Sequence, residues 1–219
     1  MGEIGTCAEH SRGIGIVGAR ALPDSFREQV SAVVRYLVGR GFQIHSGGAL
    51  GADQFALEAV LALCAFDRAV IFSPWSLASG FPRSVQQSIH RLLAYGGRVD
   101  WGFVQPGSGR GVVVSGLLAR NQRLVSASSG IVAFLYGDSR GTLRTVRQAI
   151  EQGLRVVVFV CGGGASLPQV SGGRWVRLGG SSPLAGAFLF LPEVSQDRSA
   201  QRQTTMEASG AVRMEGCHG

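Results

Sequence analysis

The amino-acid sequence predicts an α/β fold built on a doubly wound, mainly parallel β-sheet. Short apolar or β-branched runs alternate along the chain with longer segments in which apolar residues recur at helical spacing. Glycine-rich turns follow several of the apolar runs, as expected where a strand passes into a helix. Repeated alternation of strands and helices is typical of a parallel sheet with helices on both faces. The length of 219 residues is sufficient for one such domain with extensions.

The first half of the chain contains predicted strands that are each followed by a helix or a loop. The strands are short apolar runs, whereas the helices carry apolar residues every three or four positions. Pro23 and Asp24 mark the start of the first helix. In chain order we predict a strand at 13–17, a helix at 25–38, a strand at 41–45, a helix at 55–63, a strand at 68–72, a loop at 73–82 and a helix at 84–94.

The second half opens with a glycine-rich stretch at 96–111, which we interpret as a long loop. The last apolar run is strongly β-branched, which is typical of a strand buried on both faces, and a triple glycine at 162–164 ends it. In chain order we predict a helix within 112–126, a strand at 131–136, a helix at 143–152 and a strand at 155–161.

The composition changes near the end of the chain. From residue 193 the sequence is polar and has almost no apolar periodicity, so it is not expected to form a core of its own. We therefore predict an N-terminal extension at 1–12, a single domain at 13–192 and a disordered tail at 193–219.

The segment 46–53, Ser-Gly-Gly-Ala-Leu-Gly-Ala-Asp, is the strongest functional signal, because it joins a predicted strand to a predicted helix. The first N–H groups of a helix lack partners and carry partial positive charge. Glycines that let a ligand approach them therefore form a cradle for a phosphate or a carboxylate. A second such turn, 137–142, reads Gly-Asp-Ser-Arg-Gly-Thr. Two cradles at the carboxyl ends of strands predict one site for a nucleotide-like ligand.

The charge of the chain points to an anionic partner. The net charge is +7, the isoelectric point is near 10.2, and all 21 basic residues are arginine. Arginine richness also has a second interpretation, as a record of the base composition of the genome. The absence of lysine excludes a Walker A lysine, a Schiff-base lysine and a pyridoxal phosphate attachment site. Arginine must therefore make any phosphate contact by a basic side chain.

Several other classes of protein are disfavoured. The cysteines at 7, 64, 161 and 217 form no CxxC pair, so no metal site or disulfide framework is expected, and we predict that Cys64 and Cys161 are buried. No apolar run approaches the ~20 residues of a membrane helix, and no secretory signal is apparent, so the cytoplasm is the expected location. The segment 13–18 matches GxGxxG but forms the strand itself, which argues against a bound NAD or FAD; no cofactor is expected. His45, at a strand end, is interpreted as a structural histidine.

Four segments in register resemble the Rossmann-like domain of DNA-processing protein A (DprA, also called Smf). They are Gly18-Ala19-Arg20, the turn at 46–53, Arg120-Asn121, and the turn at 137–142 followed by Ala-Ile-Glu-Gln-Gly at 149–153. The resemblance spans roughly 13–164 and places the chain in a superfamily that includes the cytokinin-activating phosphoribohydrolases. It implies a nucleotide pocket at the strand ends, binding of single-stranded DNA, and loading of a recombinase during uptake of transforming DNA. A homodimer is compatible with this superfamily.

The resemblance also implies which residues line the pocket, and turn N–H groups and arginine forks are suited to holding phosphates. Asp53 has a second interpretation as a residue that caps or charge-complements its helix, and Arg120 has one as a solvated helix charge. The implied set is Gly18, Ala19, Arg20, Ser46, Gly47, Gly48, Gly51, Asp53, Arg120, Asn121, Gly137, Asp138, Ser139, Gly141 and Thr142.

The sequence favours binding over catalysis. Phosphoribohydrolases of the superfamily use a glutamate three residues after a Gly-Thr pair, and here Thr145 occupies that position. Without that carboxylate, cleavage of a base from its ribose phosphate is not expected. Gly51-Ala52-Asp53 departs from the usual Gly-Ile-Asp of DprA, and no winged-helix domain is predicted after 193. A domain that senses a small nucleotide signal therefore remains as an alternative, and a nucleotide N-glycosidase or phosphoribohydrolase remains as a less favoured one.

Overall fold

The computed structural model describes residues 13–193, so the predicted extension at 1–12 and the tail from 194 onward lie outside the described residues. The elements, in chain order, are β1 (Gly13–Gly18), α1 (Arg27–Gly39), β2 (Gln43–Ser46), α2 (Ala52–Ala62), β3 (Ala69–Phe72), α3 (Arg83–Ala94), β4 (Arg98–Asp100), α4 (Arg110–Ala127), β5 (Gly130–Leu135), α5 (Arg140–Glu151), β6 (Arg155–Val160), β7 (Gly173–Arg177) and β8 (Phe188–Pro192).

All eight strands form one sheet in the order β4-β3-β2-β1-β5-β6-β8-β7. The first six positions in this order are parallel, whereas β8 runs antiparallel to both β6 and β7. From β1, in the middle of the sheet, the chain winds outward to β4 and returns through α4 to β5 on the other side of β1. The predicted doubly wound, mainly parallel α/β fold is therefore confirmed.

The core lies on both faces of this sheet. Ile16 and Val17 are neighbours in β1 but belong to different apolar clusters, because successive side chains of a strand point to opposite faces. Helices α1, α2 and α3 cover the face of Ile16, with residues such as Val33 and Leu57 fully buried. Helices α4 and α5 cover the face of Val17, where Leu124 and Val146 are buried. Covering on both faces explains why the central strands are continuous apolar runs.

The structure corrects the predicted elements at particular places. Helices α2, α4 and α5 each begin two or three residues earlier than predicted, because their first turns carry no apolar periodicity. The stretch at 96–111 contains β4, and the antiparallel strands β7 and β8 were not predicted. Cys161 is buried as predicted, but the prediction for Cys64 is wrong, because it lies exposed just after α2.

This topology brings the predicted turns to one edge. Strands β2, β1 and β5 are adjacent and parallel, so the turns that follow them meet at the carboxyl edge of the sheet, where the strand order reverses. Helix α4 crosses from β4 to β5 and packs against both β3 and β1. Side chains of α4 can therefore reach the turns.

Candidate functional site

The turns after β1 and β2 pack directly against each other. The Ala52 N–H at the start of α2 donates to the carbonyl of Ala19 at 3.4 Å. Gly51 has φ +74°, and a Cβ added there would overlap the backbone carbonyl of Ala19. Gly51 is therefore needed both for its left-handed conformation and for the close approach of the two turns.

Asp53 and Arg120 form a buried ion pair beneath the second turn. Arg120 Nη1 lies 3.5 Å from Asp53 Oδ2, and only 8% and 5% of the two side chains are exposed. The Asp53 carboxylate also accepts the backbone N–H of Ala49 at 3.3 Å. Burial raises the pKa of the Asp53 carboxyl, while Arg120 and the N–H groups of Ala49 and Gly47 oppose that rise. Asp53 thus holds the second turn in place through Arg120 and the Ala49 N–H, and it does not cap α2, whose N-cap residue is Gly51.

The Arg120 guanidinium lies over Gly47. A Cβ added at Gly47 would overlap this guanidinium, so only glycine leaves room for it. Burial lowers the pKa of Arg120, the like charges of Arg20 and Arg123 lower it further, and Asp53 opposes them. Among the described residues, Arg120 Nε has no hydrogen-bond partner. The neighbourhood of the cradle thus holds more positive charge than Asp53 neutralises.

Arg20 is the exposed basic residue of the first turn. The preceding Ala19 donates its N–H to the carbonyl of Phe134 in β5 at 2.9 Å, which ties the turn to the neighbouring strand. Gly18 packs against Ala52 and Phe134 so closely that a Cβ there would require them to move. The backbone that carries Arg20 is therefore fixed on both sides, while the side chain extends into solvent.

The third turn, after β5, is held by Ser139. Its hydroxyl donates to the carbonyl of Tyr136 at 2.6 Å and accepts the Tyr136 N–H at 3.2 Å. Gly137 has φ +58°, and its N–H donates to the carbonyl of Gly162 at 3.2 Å. This turn places the start of α5 at the same edge of the sheet as the other two turns, because β5 is adjacent and parallel to β1.

Most residues of the predicted site lie at this edge, but Asn121 does not join the Asp53–Arg120 pair. Asn121 lines a groove of about 620 Å³ between α4 and α5, together with Arg144 and Arg147. Within the cradle, Gly48 has φ +64° and packs on the ring of Phe81. Arg120 reaches Asp53 and Asn121 does not, because adjacent residues on a helix point about a quarter turn apart.

Sequence reasoning missed the role of Arg123. Its Nη1 donates to Asp100 Oδ1 at 3.2 Å and to the carbonyl of Trp101 at 2.9 Å, and its Nη2 donates to the carbonyl of Ser73 at 2.6 Å. Arg123 thereby fastens together the chain segments that follow β3 and β4. The available signal was its position three residues after Arg120, which places both arginines on one face of α4.

His45 lies buried in β2 and has a structural environment. Its ring nitrogens bond to Ser128 Oγ at 3.0 Å and to Gln43 Oε1 at 3.2 Å. Burial, with a smaller contribution from Arg98, lowers the pKa of His45 to about 4. The imidazole is therefore neutral at physiological pH.

The described residues include no group of three or more His, Cys, Asp or Glu side chains placed to hold a metal ion. Over the same part of the chain, no helix combines the length and the apolarity needed to cross a membrane.

Comparison with known proteins identifies a family. Residues 2–176 match the family model of DNA recombination-mediator protein A. Protein Smf of Borreliella burgdorferi is 28% identical over 155 residues, which is 68% of this chain and 47% of Smf, so the chain spans about half the length of this relative.

Two solved structures share the fold. DNA processing protein A from Streptococcus pneumoniae matches with a TM-score of 0.53 and 21% identity over 66% of this chain and 49% of the other. DNA processing protein A from Helicobacter pylori matches with a TM-score of 0.56 and 20% identity over 90% of this chain and 81% of the other. The H. pylori structure is described in terms of that protein's single-stranded DNA binding mode.

Proposed function

This chain belongs to the DNA recombination-mediator protein A family, and we propose that it binds single-stranded DNA where three turns meet at the carboxyl edge of the sheet. These turns follow β1, β2 and β5, and together they are called the cradle from here on. The observation that carries the proposal is the meeting of these turns at one edge with the exposed Arg20 and the buried Arg120. The single-stranded DNA binding described for the H. pylori protein supports the same ligand class.

The chemistry of the cradle suits a phosphodiester backbone. Arginine guanidinium groups hold phosphate oxygens through paired hydrogen bonds, and helix starts favour anions. Because Asp53 already accepts the N–H of Ala49, we assign the ligand to the outer side of the cradle, where Arg20 lies. The net charge of +7 favours encounter with a polyanion. Contacts of this kind are made to phosphates rather than to base edges and require no particular sequence.

We divide the site residues into two roles. Arg20 and the start of α5 would contact phosphate, while Arg120 and Asp53 would hold the second turn in the shape that receives it. The proposed site keeps the predicted residues, with Asp53 and Arg120 as positioning residues and Asn121 in the adjoining groove between α4 and α5. The full set is Gly18, Ala19, Arg20, Ser46, Gly47, Gly48, Gly51, Asp53, Arg120, Asn121, Gly137, Asp138, Ser139, Gly141 and Thr142.

The proposal is tested by fluorescence anisotropy of a labelled single-stranded oligonucleotide over a range of salt concentrations, with a duplex of equal length for comparison. Arg20→Ala is expected to weaken binding about 10- to 100-fold, the effect of losing one charge-assisted hydrogen bond. It should also reduce the slope of log affinity against log salt by about 0.7, the contribution of one phosphate contact to a single strand.

Arg40→Ala is the matched control. Arg40 is also exposed, but it follows α1 at the opposite edge of the sheet and lies 4.5 Å over the ring of Tyr36. Equal losses in the two variants, or no binding by the wild-type protein at low salt, would refute the assignment of the cradle.

Two other functions predict different outcomes, which a mononucleotide titration and an assay for released base would detect. A nucleotide sensor would bind a mononucleotide tightly and show little preference for the polymer. A nucleotide N-glycosidase would release free base, and the Thr145 hydroxyl, which donates to the carbonyl of Gly141 at 3.1 Å, offers no carboxylate for that chemistry. We extend the proposal to DNA recombination, with a recombinase as partner and a homodimer as the acting form, both from the family resemblance.

A further inference from the structure

Phe103 is an exposed aromatic residue at the carboxyl edge of the sheet. Phe103 is 57% exposed, whereas every other phenylalanine among residues 13–193 is buried or half-buried. An exposed aromatic ring suggests a contact with a ligand when the backbone around it is held in place, because the ring is then kept in water by the fold itself.

The backbone on either side of Phe103 is held by the segment that follows β3. The Gly102 N–H donates to the carbonyl of Trp75 at 2.9 Å, and the Val104 N–H donates to the carbonyl of Pro74 at 3.0 Å. Val104 is fully buried, and a Cβ at Gly102 would overlap the Pro74 backbone. Val104 is buried while Phe103 beside it is exposed, so the backbone at this point presents the Phe103 ring to solvent.

Arg123 fixes the same segment from the helix side. Its guanidinium donates to the carbonyls of Trp101 and Ser73 at 2.9 and 2.6 Å, so the chain immediately before Phe103 is fastened to α4 and to the end of β3. The backbone that carries the Phe103 ring is therefore held in place by contacts within the protein.

The chain segment that carries Phe103 is connected to the cradle through aromatic contacts. Gly48 packs on the Phe81 ring, which meets the Trp101 ring edge-to-face with centroids 6.2 Å apart. Strands β2 and β4 are two positions apart, which corresponds to about 10 Å at ~4.8 Å per strand. Phe103 and the cradle therefore lie on the same edge, within the span of a few nucleotides.

We propose that Phe103 stacks on a nucleobase of the single strand whose phosphates lie in the cradle. This inference rests on the proposed function and adds a contact to the bases, which the arginines do not supply. Aromatic rings stack on any base through its π-face, so the contact strengthens binding without selecting a sequence. A nucleobase fits this position because the ring is exposed at the same edge of the sheet as the proposed phosphate site.

The test compares a labelled oligothymidylate with an abasic oligonucleotide of the same length and charge. Phe103→Ala is expected to weaken binding of oligothymidylate about 5- to 150-fold, the range for loss of one stacked base, and to leave binding of the abasic strand unchanged. Phe103→Trp should retain wild-type affinity. The salt dependence should be the same in all three proteins, because no charge is removed.

Tyr95→Ala serves as the control, since Tyr95 is 63% exposed and stacks on Phe66 beyond the end of α3. Equal weakening on both strands, or none on oligothymidylate, would overturn the inference. If Arg20→Ala weakens binding and Phe103→Ala does not, the stacking inference fails and the cradle stands. If the wild-type protein binds neither strand, the proposed function fails and the stacking inference fails with it.

Discussion

The protein should lose stability between pH 6.5 and pH 4 through His45, which lies in β2 just before the cradle. His45 is 4% exposed, and both ring nitrogens are bonded to neutral partners, Ser128 and Gln43. Burial and the charge of Arg98 lower its pKa from 6.5 to about 4. Above pH 6.5 the imidazole is neutral in both the folded and the unfolded chain, so it makes no pH-dependent contribution. As the pH falls toward 4, the unfolded chain binds a proton that the folded protein does not, and the free energy of unfolding decreases.

The magnitude follows from the shift. At 1.36 kcal/mol per pKa unit, a pKa lowered from 6.5 to about 4 removes about 3 kcal/mol by pH 4. Urea denaturation of the wild-type protein and of His45→Gln, measured at intervals from pH 7.5 to pH 4, isolates this contribution as the difference between the two profiles. Glutamine keeps hydrogen-bonding groups but does not titrate. The variant should be less stable at pH 7.5, because a smaller side chain fills the site, and its profile should be flatter. Parallel profiles for the two proteins would refute the reasoning.

Two further predictions concern the stability of the cradle and are checked by denaturant unfolding. Gly51→Ala should destabilise by about 2–4 kcal/mol, since left-handed backbone costs about 1–2 kcal/mol and the clash with Ala19 adds an overpacking cost. Gly153→Ala, at φ +72° with open space around it, should lose only the backbone cost, and an equal loss in both variants would contradict the contact between the turns. Arg120→Met should destabilise by about 3–5 kcal/mol because it leaves Asp53 buried without its partner, and adding Asp53→Asn should recover part of that loss. Strictly additive losses would argue against the pair.

The sequence predicts the fold well where one face or both faces of an element are buried. The β-branched run of β6 and the apolar periodicity of α1 have no good alternative structure, so both appear close to where they are predicted. Strand β4 is different, because its three residues, the exposed Arg98 and the half-buried Val99 and Asp100, lie within a glycine-rich stretch. Only its pairing with β3 makes it a strand. The hairpin of β7 and β8 likewise depends on β8 pairing with β6, a contact that no local pattern reveals.

The candidate site also has features that the sequence predicts and features that depend on contacts between distant parts of the chain. Left-handed glycines such as Gly48 and Gly51 are predictable from the turn sequence, since few other residues adopt that conformation. The pairing of Asp53 with Arg120 is not, because it joins residues 67 positions apart and depends on the path of α4 across the sheet. The position of Phe103 also depends on a distant contact, because Arg123 of α4 donates hydrogen bonds to the chain segments that follow β3 and β4.

The Asp53–Arg120 ion pair determines which contacts would supply the binding energy for single-stranded DNA at this edge. Asp53 accepts an N–H of the second turn and balances the charge of Arg120, so the turn is already ordered before a ligand arrives. A phosphate that met free N–H groups would have to order them, whereas one that meets Arg20 gains mainly electrostatic energy, which salt screens. Stacking on Phe103 would add energy that salt does not screen. Raising the salt concentration should therefore make the affinity depend less on Arg20 while its dependence on Phe103 persists, which separates the two contacts without altering the fold.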